Sequence, residues 1–144
     1  LHAKNTVQAF ERLLNLALHP EQLKNNVLLL VAQRLLRKLC DRCKQSISPT
    51  KALQDKYQFP PGVKLFEPLG CECCHLGYRG RIGVFELLPM NTEVCSILSS
   101  TNYHVALSTM LKEKGLSLRD VALRKVSQGL TSLAEVDRVM PEGL

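Results

Sequence analysis

Two cysteine pairs, Cys40-Asp-Arg-Cys43 and Cys71-Glu-Cys-Cys74, decide how the rest of this sequence is interpreted. Two thiolates separated by two residues can bind the same metal ion, and two such pairs supply the four sulfur ligands that structural Zn²⁺ prefers, at about 2.3 Å. The sequence therefore predicts one zinc site with the ligands Cys40, Cys43, Cys71 and Cys74. Because four sulfurs leave no open position for water or substrate, we expect this site to be structural rather than catalytic.

The cysteine content leaves alternatives open at this point. Two disulfides would use the same four residues, although disulfides are typical of secreted chains and nothing in the sequence resembles a signal peptide. Cys73 and His75 adjoin the second pair and are candidate ligands, but the two-residue spacing favours Cys71 and Cys74. Cys95 falls in an apolar helical pattern, which is typical of an unreactive core thiol.

Composition indicates an ordinary soluble chain that we expect to be cytoplasmic. The 144 residues are 45% hydrophobic and 22% charged, with no apolar run long enough to span a bilayer. The net charge of +6 raises the question of nucleic acid or an anionic membrane as a partner. However, the basic residues are scattered and only 5% of residues are aromatic, so we expect no nucleic-acid partner.

Hydrophobic periodicity predicts an α+β chain that is mostly α. The predicted helices cover residues 6–18, 20–30, 51–57, 92–98, 103–114, 117–128 and 131–139, the last of them capped by Thr131. Residues 31–39 fit either a helix or a strand. Since residues 81–88 are β-rich and lie between Gly80 and Pro89, they need a partner strand, and we expect residues 33–39 to supply it in a short antiparallel ribbon.

The stretch from Gln45 to Gly70 contains four prolines and two glycines, which exclude long regular elements. We expect a folded loop that depends on the zinc ion for its order, followed by a small C-terminal helical bundle. Beyond the loop, Gly77-Tyr-Arg-Gly-Arg81 is consistent either with a tight turn whose arginines face solvent or with a role at a subunit interface or near bound phosphate.

A set of motifs occurs in a characteristic order along nearly the whole chain. They are Leu1-His-Ala-Lys-Asn5, Ala32-Gln-Arg-Leu-Leu-Arg37, Leu39-Cys-x-x-Cys43, Cys71-x-x-Cys74, Gly77-Tyr-Arg-Gly-Arg81, Gly83-Val-Phe-Glu-Leu87, Leu123-Arg-Lys-Val126 and Gly129-Leu-Thr131. In this order they resemble the C-terminal part of the motor domain of the type II secretion and type IV pilus assembly ATPases (the GspE/PilB family, including HofB-like proteins).

The resemblance implies three segments. Residues 1–39 would be the end of a RecA-like motor core, 40–88 the tetracysteine zinc motif with its return strand, and 89–144 the helical bundle. It also implies a hexameric cytoplasmic ATPase, peripheral to the bacterial inner membrane, that powers protein secretion or pilus assembly. Its partners would be neighbouring subunits and an inner-membrane platform protein.

Three further residues match family motifs. His2 matches the second histidine of the family's histidine box, which is associated with the γ-phosphate side of the nucleotide, or else it is a surface histidine. Arg34 and Arg37 match the Ala-Gln-Arg segment, and we expect both to lie on a solvent-facing strand surface.

The phosphate-binding loop of such an ATPase ends in Gly-Lys-Ser or Gly-Lys-Thr, and neither tripeptide occurs in this sequence. We therefore expect a fragment that does not hydrolyse ATP by itself, with ATP and Mg²⁺ bound by parts of the parent protein upstream of Leu1. The alternatives are a free-standing zinc module that binds nucleic acid and a thiol redox protein that uses Cys-x-x-Cys.

Overall fold

The computed structural model describes residues 3–16 and 19–141. In chain order the elements are α1 (Thr6–Asn15), α2 (Pro20–Asn26), β1 (Leu29–Leu39), β2 (Gln45–Ile47), α3 (Lys51–Tyr57), β3 (Leu65–Glu67), β4 (Tyr78–Pro89), α4 (Thr92–Leu98), α5 (Tyr103–Glu113), α6 (Leu118–Ser127) and α7 (Leu133–Val139). The α+β class is confirmed, and more of the described residues lie in helices than in strands. No helix among the described residues is long and apolar enough to cross a membrane.

Two small sheets form, one from β1 and β4 and one from β2 and β3. The first contains the two segments that the sequence predicts as partners. In the second, which is antiparallel, Gln45 lies opposite Glu67 and Ile47 opposite Leu65. Sequence patterns do not reveal β2 and β3, because each has only three residues and lies in the proline-rich stretch.

The second helix is shorter than predicted, and the prediction that it reaches residue 30 is wrong. It ends at Asn26, and Val27 is already extended with φ −95° and ψ 122°. Asparagine is a weak helix former, and the apolar run that follows joins β1, where the Leu28 carbonyl accepts the Met90 amide at 2.9 Å. α1 ends at Asn15, and the predicted residues 17 and 18 lie outside the described part of the chain.

The chain divides by contacts into two compact units. The first, here called the helical unit, comprises Leu1–Gln33 and Phe85–Val121, and the second, the cysteine unit, comprises Arg34–Val84 and Ala122–Leu144. The boundaries fall inside β1, β4 and α6, so these three elements contribute residues to both units.

An apolar core fills the helical unit. Its buried members are Val7, Phe10, Leu23, Leu88, Val94, Leu98, Leu107 and Leu111. The ring of Phe10 meets Tyr103 edge to face, with centroids 5.7 Å apart. Burial of such side chains contributes roughly 1.5–3 kcal/mol each, so this cluster is the main stabilising feature of the unit.

A buried carboxylate lies beside this core. Glu86 is 3% exposed, and its Oε1 accepts the Thr6 amide at 2.8 Å and the Thr6 hydroxyl at 2.6 Å. Its Oε2 accepts the Leu118 amide at 2.9 Å. Thr6 and Leu118 are the first residues of α1 and α6, so the negative charge lies at the positive ends of two helices.

In the cysteine unit, α7 is held by a second buried carboxylate. The Glu135 side chain is fully buried and accepts the Arg37 amide at 2.9 Å and the Arg37 guanidinium at 2.9 and 2.7 Å. Arg138 adds two bonds of 2.8 Å from the following turn. The expectation that Arg37 faces solvent is therefore wrong, because its strand position brings it to this carboxylate.

The N-terminus of α7 also differs from the prediction. Ser132, not Thr131, is the cap, since its hydroxyl accepts the Glu135 amide at 3.1 Å. The Thr131 hydroxyl donates instead to the Arg37 carbonyl at 2.9 Å, and Ser132 also bonds the Tyr78 hydroxyl at 2.7 Å. For α4 the sequence allows either Asn91 or Thr92 as the cap, and in the structure it is Asn91, whose side chain accepts the Val94 amide at 2.9 Å.

Candidate metal centre

Two tight turns position the four predicted ligands. Cys40 directly follows β1, and the Cys43 amide donates to its carbonyl at 3.3 Å. In the segment before β4, the Cys74 amide donates to the Cys71 carbonyl at 3.2 Å in the same way. The Cys40 amide donates to the Gly77 carbonyl at 2.9 Å, so the first turn is hydrogen-bonded to the end of the second.

The sulfur atoms of these four cysteines form a compact cluster. All four Sγ atoms lie within 4.8 Å of one another. The individual separations are 3.9 Å for Cys40 and Cys71, 3.7 Å for Cys43 and Cys74, and 3.6 Å for Cys71 and Cys74. A tetrahedron with sulfurs about 2.3 Å from a central Zn²⁺ has edges of about 3.8 Å. The cluster thus has the dimensions of a tetrathiolate metal site.

The other cysteines and the neighbouring histidine lie apart from this cluster. All six cysteines are free thiols. Cys73 is exposed, and its Sγ accepts a hydrogen bond from Arg42 Nη1 at 2.6 Å. The His75 side chain is exposed, and the His75 backbone forms an isolated antiparallel bridge with that of Tyr78. Cys95 is half-buried on α4.

Hydrogen bonds inside the cluster shift the pKa values of the Cys71 and Cys74 thiols in opposite directions. Burial raises the pKa of Cys74, but the bonds from the Cys71 amide and from the Cys71 and Cys43 thiols lower it more, to about 7. A hydrogen bond from the Cys73 amide lowers the pKa of the Cys71 thiol. The hydrogen bond between the Cys71 and Cys74 thiols, together with burial, raises the pKa of Cys71 more, to about 12. Proximity therefore favours one thiolate at Cys74, and a bound cation would favour deprotonation of the others.

Charged side chains surround the first turn. Asp41 accepts Lys44 Nζ at 2.9 Å and Lys38 Nζ at 3.0 Å, and these ammonium groups lower the pKa of its carboxyl group. Lys44 also donates to the Gly129 carbonyl at 3.1 Å, which connects the turn to the end of α6. The turn is thus fixed by polar contacts as well as by the cysteines.

The remaining predicted residues have separate locations. His2 lies outside the described part of the chain. Arg34 is half-buried on β1, while Arg79 and Arg81 are exposed on β4. Of the two alternatives for the Gly77-Tyr-Arg-Gly-Arg81 motif, a tight turn is present, with φ values of 49° at Leu76 and 82° at Gly77.

Sequence reasoning did not find the two buried glutamates. For Glu86 a usable pattern exists, because Val84 and Leu88 are two residues away on the same strand face and are both fully buried. An acidic residue in that register predicts an inward carboxylate with specific donors. For Glu135 no comparable pattern exists, since its partner on β1, Arg37, is 98 residues away.

Comparison with known proteins identifies the family. The family model described as "Type II/IV secretion system protein" matches residues 1–138, so the chain belongs to this family.

Individual relatives agree with this assignment. The chain is 34% identical over 149 residues to the type IV pilus assembly ATPase PilB of Acinetobacter baylyi, with 99% of this chain and 26% of that protein covered. It is 35% identical over 145 residues to the type II secretion system protein E of Pectobacterium carotovorum, with 99% and 29% covered. It is 36% identical over 146 residues to the type II secretion system ATPase E of Vibrio cholerae, again with 99% and 29% covered.

These coverages show that the chain spans between a quarter and three tenths of the length of these relatives.

Proposed function

We propose that this chain is the C-terminal, zinc-binding part of the motor domain of a hexameric cytoplasmic ATPase that powers type II protein secretion or type IV pilus assembly. The observation that carries the proposal is the family match over residues 1–138, together with relatives whose names describe secretion and pilus assembly ATPases. The ordered motifs agree with it, because they extend from Leu1 to Thr131.

The proposed metal ligands are Cys40, Cys43, Cys71 and Cys74, with zinc as the ion. Sulfur separations of 3.6 to 3.9 Å and the set of four thiols support this choice, because four sulfurs at such spacing suit tetrahedral Zn²⁺. Bound zinc would supply a cross-link between the two turns and no catalytic function. Cys73 is directed to Arg42 and is not assigned as a ligand.

The three segments have separate proposed roles in the parent protein. Residues 1–39 complete the RecA-like motor core, 40–88 form the zinc motif with its return strand, and 89–144 supply the helical part. ATP and Mg²⁺ would bind to the parent protein outside this sequence, which has no Gly-Lys-Ser or Gly-Lys-Thr. His2 is proposed to lie near the nucleotide because it matches the family's histidine box.

The proposed partners are neighbouring subunits of a homo-hexamer and the inner-membrane platform protein. The zinc motif, residues 40–88, is the proposed contact for one of these two partners. Most of its side chains between Gly70 and Leu76 are solvent-accessible. The proposed location follows from these partners: the cytoplasmic face of the inner membrane.

The test uses the full-length protein that contains this segment. We expect one zinc ion per subunit by elemental analysis and ATP hydrolysis that depends on a phosphate-binding loop outside these residues. Cys43→Ser and Cys74→Ser should each lose the metal and reduce ATP turnover, whereas the control Cys95→Ser should retain both.

A metal-free protein with full ATPase activity would disprove the zinc assignment. Full-length protein without ATPase activity in any oligomeric state would disprove the motor assignment. A third result, salt-sensitive binding of DNA or RNA by the zinc-loaded chain, would favour the nucleic-acid module instead.

A further inference from the structure

Four large apolar side chains of the helical unit are exposed on β1 and β4. Leu29, Val31, Phe85 and Leu87 are each between 46% and 52% exposed. Single exposed apolar residues are normal on a protein surface. These four differ, because they occupy alternate positions of two paired strands, and alternate strand residues point to the same side of a sheet.

The core of the helical unit lies on the other side of this sheet. Leu88 belongs to the buried core, and Leu30 packs against it. Because successive strand residues point to opposite sides, the exposed positions beside them point away from the core. The Leu28 carbonyl accepts the Met90 amide at 2.9 Å, so the start of β1 lies beside the end of β4. The four exposed side chains are therefore neighbours on one surface, here called the apolar sheet face.

The sequence of both strands is typical of a sheet that is covered on both sides. A sheet with one side in water alternates apolar and polar residues. Residues 27–32 are instead an unbroken apolar run, Val-Leu-Leu-Leu-Val-Ala, and residues 84–88 are apolar except for Glu86. Glu86 is itself buried, so it does not supply a polar residue to the apolar sheet face. Near-continuous runs of this kind characterise strands that lie between two layers of helices.

The helices of this unit lie on the core side of the sheet. Helices α1, α2, α4 and α5 each contribute residues to the core that Leu88 joins. In the part of the chain that the structure describes, this sheet has two strands, and a two-stranded sheet is only marginally stable in water. An exposed apolar surface on such a sheet is a site for association.

We propose that the apolar sheet face is covered by an amphipathic helix of the parent polypeptide, from the part that precedes this segment. The inference rests on the function proposed above, and it adds the surface through which this chain packs on the rest of the motor. The chain covers 26% of the pilus ATPase and 29% of the two secretion relatives, so most of such a polypeptide is available to supply the helix. A helix with an apolar stripe is the usual cover for an apolar sheet surface.

A second copy of this chain fits the apolar sheet face less well. A stable interface between separate proteins buries about 800 Å² on each partner. A fully buried aromatic side chain accounts for only about 150–250 Å², so four half-exposed side chains supply less than that interface needs. A segment of the same polypeptide needs less area, because it does not lose the translational freedom of a separate molecule on binding.

The first test compares side-chain exposure in this chain and in the full-length protein. Both are labelled with a photoactivated carbene, and the labelled positions are identified by mass spectrometry. Labelling of Val31, Phe85 and Leu87 should fall about fivefold or more in the full-length protein, because half-exposed side chains become almost fully buried. Val105 and Leu116, which are exposed in the same unit outside the apolar sheet face, should keep their labelling.

A double variant provides the second test. Val31→Thr with Leu87→Thr keeps side chains of strand-forming size but adds a hydroxyl to each position or in place of a methyl group. The melting temperature should fall by about 3–6 °C in the full-length protein, where the hydroxyls would be buried, and by less than about 2 °C in this chain. The matched control, Val105→Thr on the exposed side of α5, should have the same small effect in both proteins.

Four outcomes would overturn the proposal. They are full labelling of the apolar sheet face in the full-length protein, equal protection of Val105 and Leu116, equal melting shifts of the double variant in the two proteins, and protection that depends on protein concentration. The last outcome would assign the surface to a neighbouring subunit or a second copy.

ATPase activity and zinc content of the same preparations separate this inference from the proposed function. An exposed apolar sheet face in an active, zinc-loaded protein would reject only the helix contact. A covered face in a full-length protein without ATPase activity would reject only the motor assignment.

Discussion

Glu86 and Thr6 are 80 residues apart in sequence, yet a single oxygen of the Glu86 carboxylate accepts both the backbone amide and the hydroxyl of Thr6. The other oxygen accepts the first amide of α6, at Leu118. No Lys or Arg side chain among the described residues bonds this carboxylate. The two helix N-termini supply the positive potential that a buried charge requires.

Replacing Glu86 with glutamine should destabilise the chain by about 2–3 kcal/mol. The glutamine side chain has one acceptor oxygen, and its NH2 group is a donor. One buried N–H, of Thr6 or of Leu118, therefore loses its acceptor. Urea unfolding monitored by circular dichroism measures the change. The matched control is Glu93→Gln, which removes an exposed pair with Lys114 and should cost less than about 0.5 kcal/mol. Equal costs in the two variants would contradict the role given to Glu86.

The lowered pKa of Glu135 leads us to expect a specific loss of stability in acid. Burial raises its pKa, but hydrogen bonds from Arg138 and Arg37 lower the pKa more, from 4.5 to about 2. A carboxyl group with a depressed folded-state pKa stabilises the fold above its ordinary pKa, and this contribution disappears as pH falls through the folded value. Because Glu135→Gln cannot titrate, the stability difference between the two proteins should be constant above about pH 5 and shrink by about 2–3 kcal/mol between pH 4.5 and 2.

Acid unfolding of both proteins measures this difference. Asp55→Asn, which alters an exposed carboxylate on α3, serves as the control and should show no such window. A stability difference between wild type and Glu135→Gln that stays constant down to pH 2 would show that Arg37 and Arg138 do not hold the ionised form.

Gly77 and Gly80 form a natural pair for testing the second turn. Their φ values are 82° and 78°, so alanine is disfavoured by the backbone at both, by about 1–2 kcal/mol. At Gly77 the added Cβ would also lie 2.3 Å from the Pro68 Cβ, whereas at Gly80 no atom lies within 4 Å. Gly77→Ala should therefore cost at least about 1–3 kcal/mol more than Gly80→Ala and should weaken zinc retention. Thermal unfolding and zinc content of the two variants provide the comparison.

Removal of the proposed zinc should loosen only one of the two units. Zinc affinity in small structural sites corresponds to about 10–16 kcal/mol, far more than a proline-rich loop gains from its own contacts. In hydrogen exchange, chelation should expose the amides of β2 and β3, while α1, α4 and α5 around the Phe10 core remain protected. Uniform loss of protection in both units would contradict independent stabilisation, and unchanged protection of β2 and β3 would contradict a stabilising metal.

Local patterns predicted much of this fold. The bounds of α3 and α4 are as predicted, because short-range signals determine both. The pairing of β1 with β4 is also as predicted, because the cysteine spacing requires the preceding and following segments to meet. The same spacing predicted the sulfur cluster, and the structure brings together the four cysteines that were named.

Contacts between distant residues were not predictable in the same way. Arg37 has the sequence context of an exposed strand residue, and only the position of α7 reveals that it binds Glu135. Similarly, Thr131 and Ser132 are both good helix caps by type, and the choice depends on the Arg37 carbonyl accepting the Thr131 hydroxyl. In each case a polar group was misassigned because its partner lies far away in the chain.

The two turns that present the cysteines bring the sulfur atoms of Cys43 and Cys71 within 4.8 Å of each other. Once those ends are fixed, the entropy of the intervening peptide changes only with the logarithm of its length, so doubling it would cost about 0.6 kcal/mol. Within residues 44–70, α3 has no buried residue, so a change of length there would leave the paired β2 and β3 in place. This makes α3 a practical place to graft an epitope or a fluorescent reporter onto the molecule.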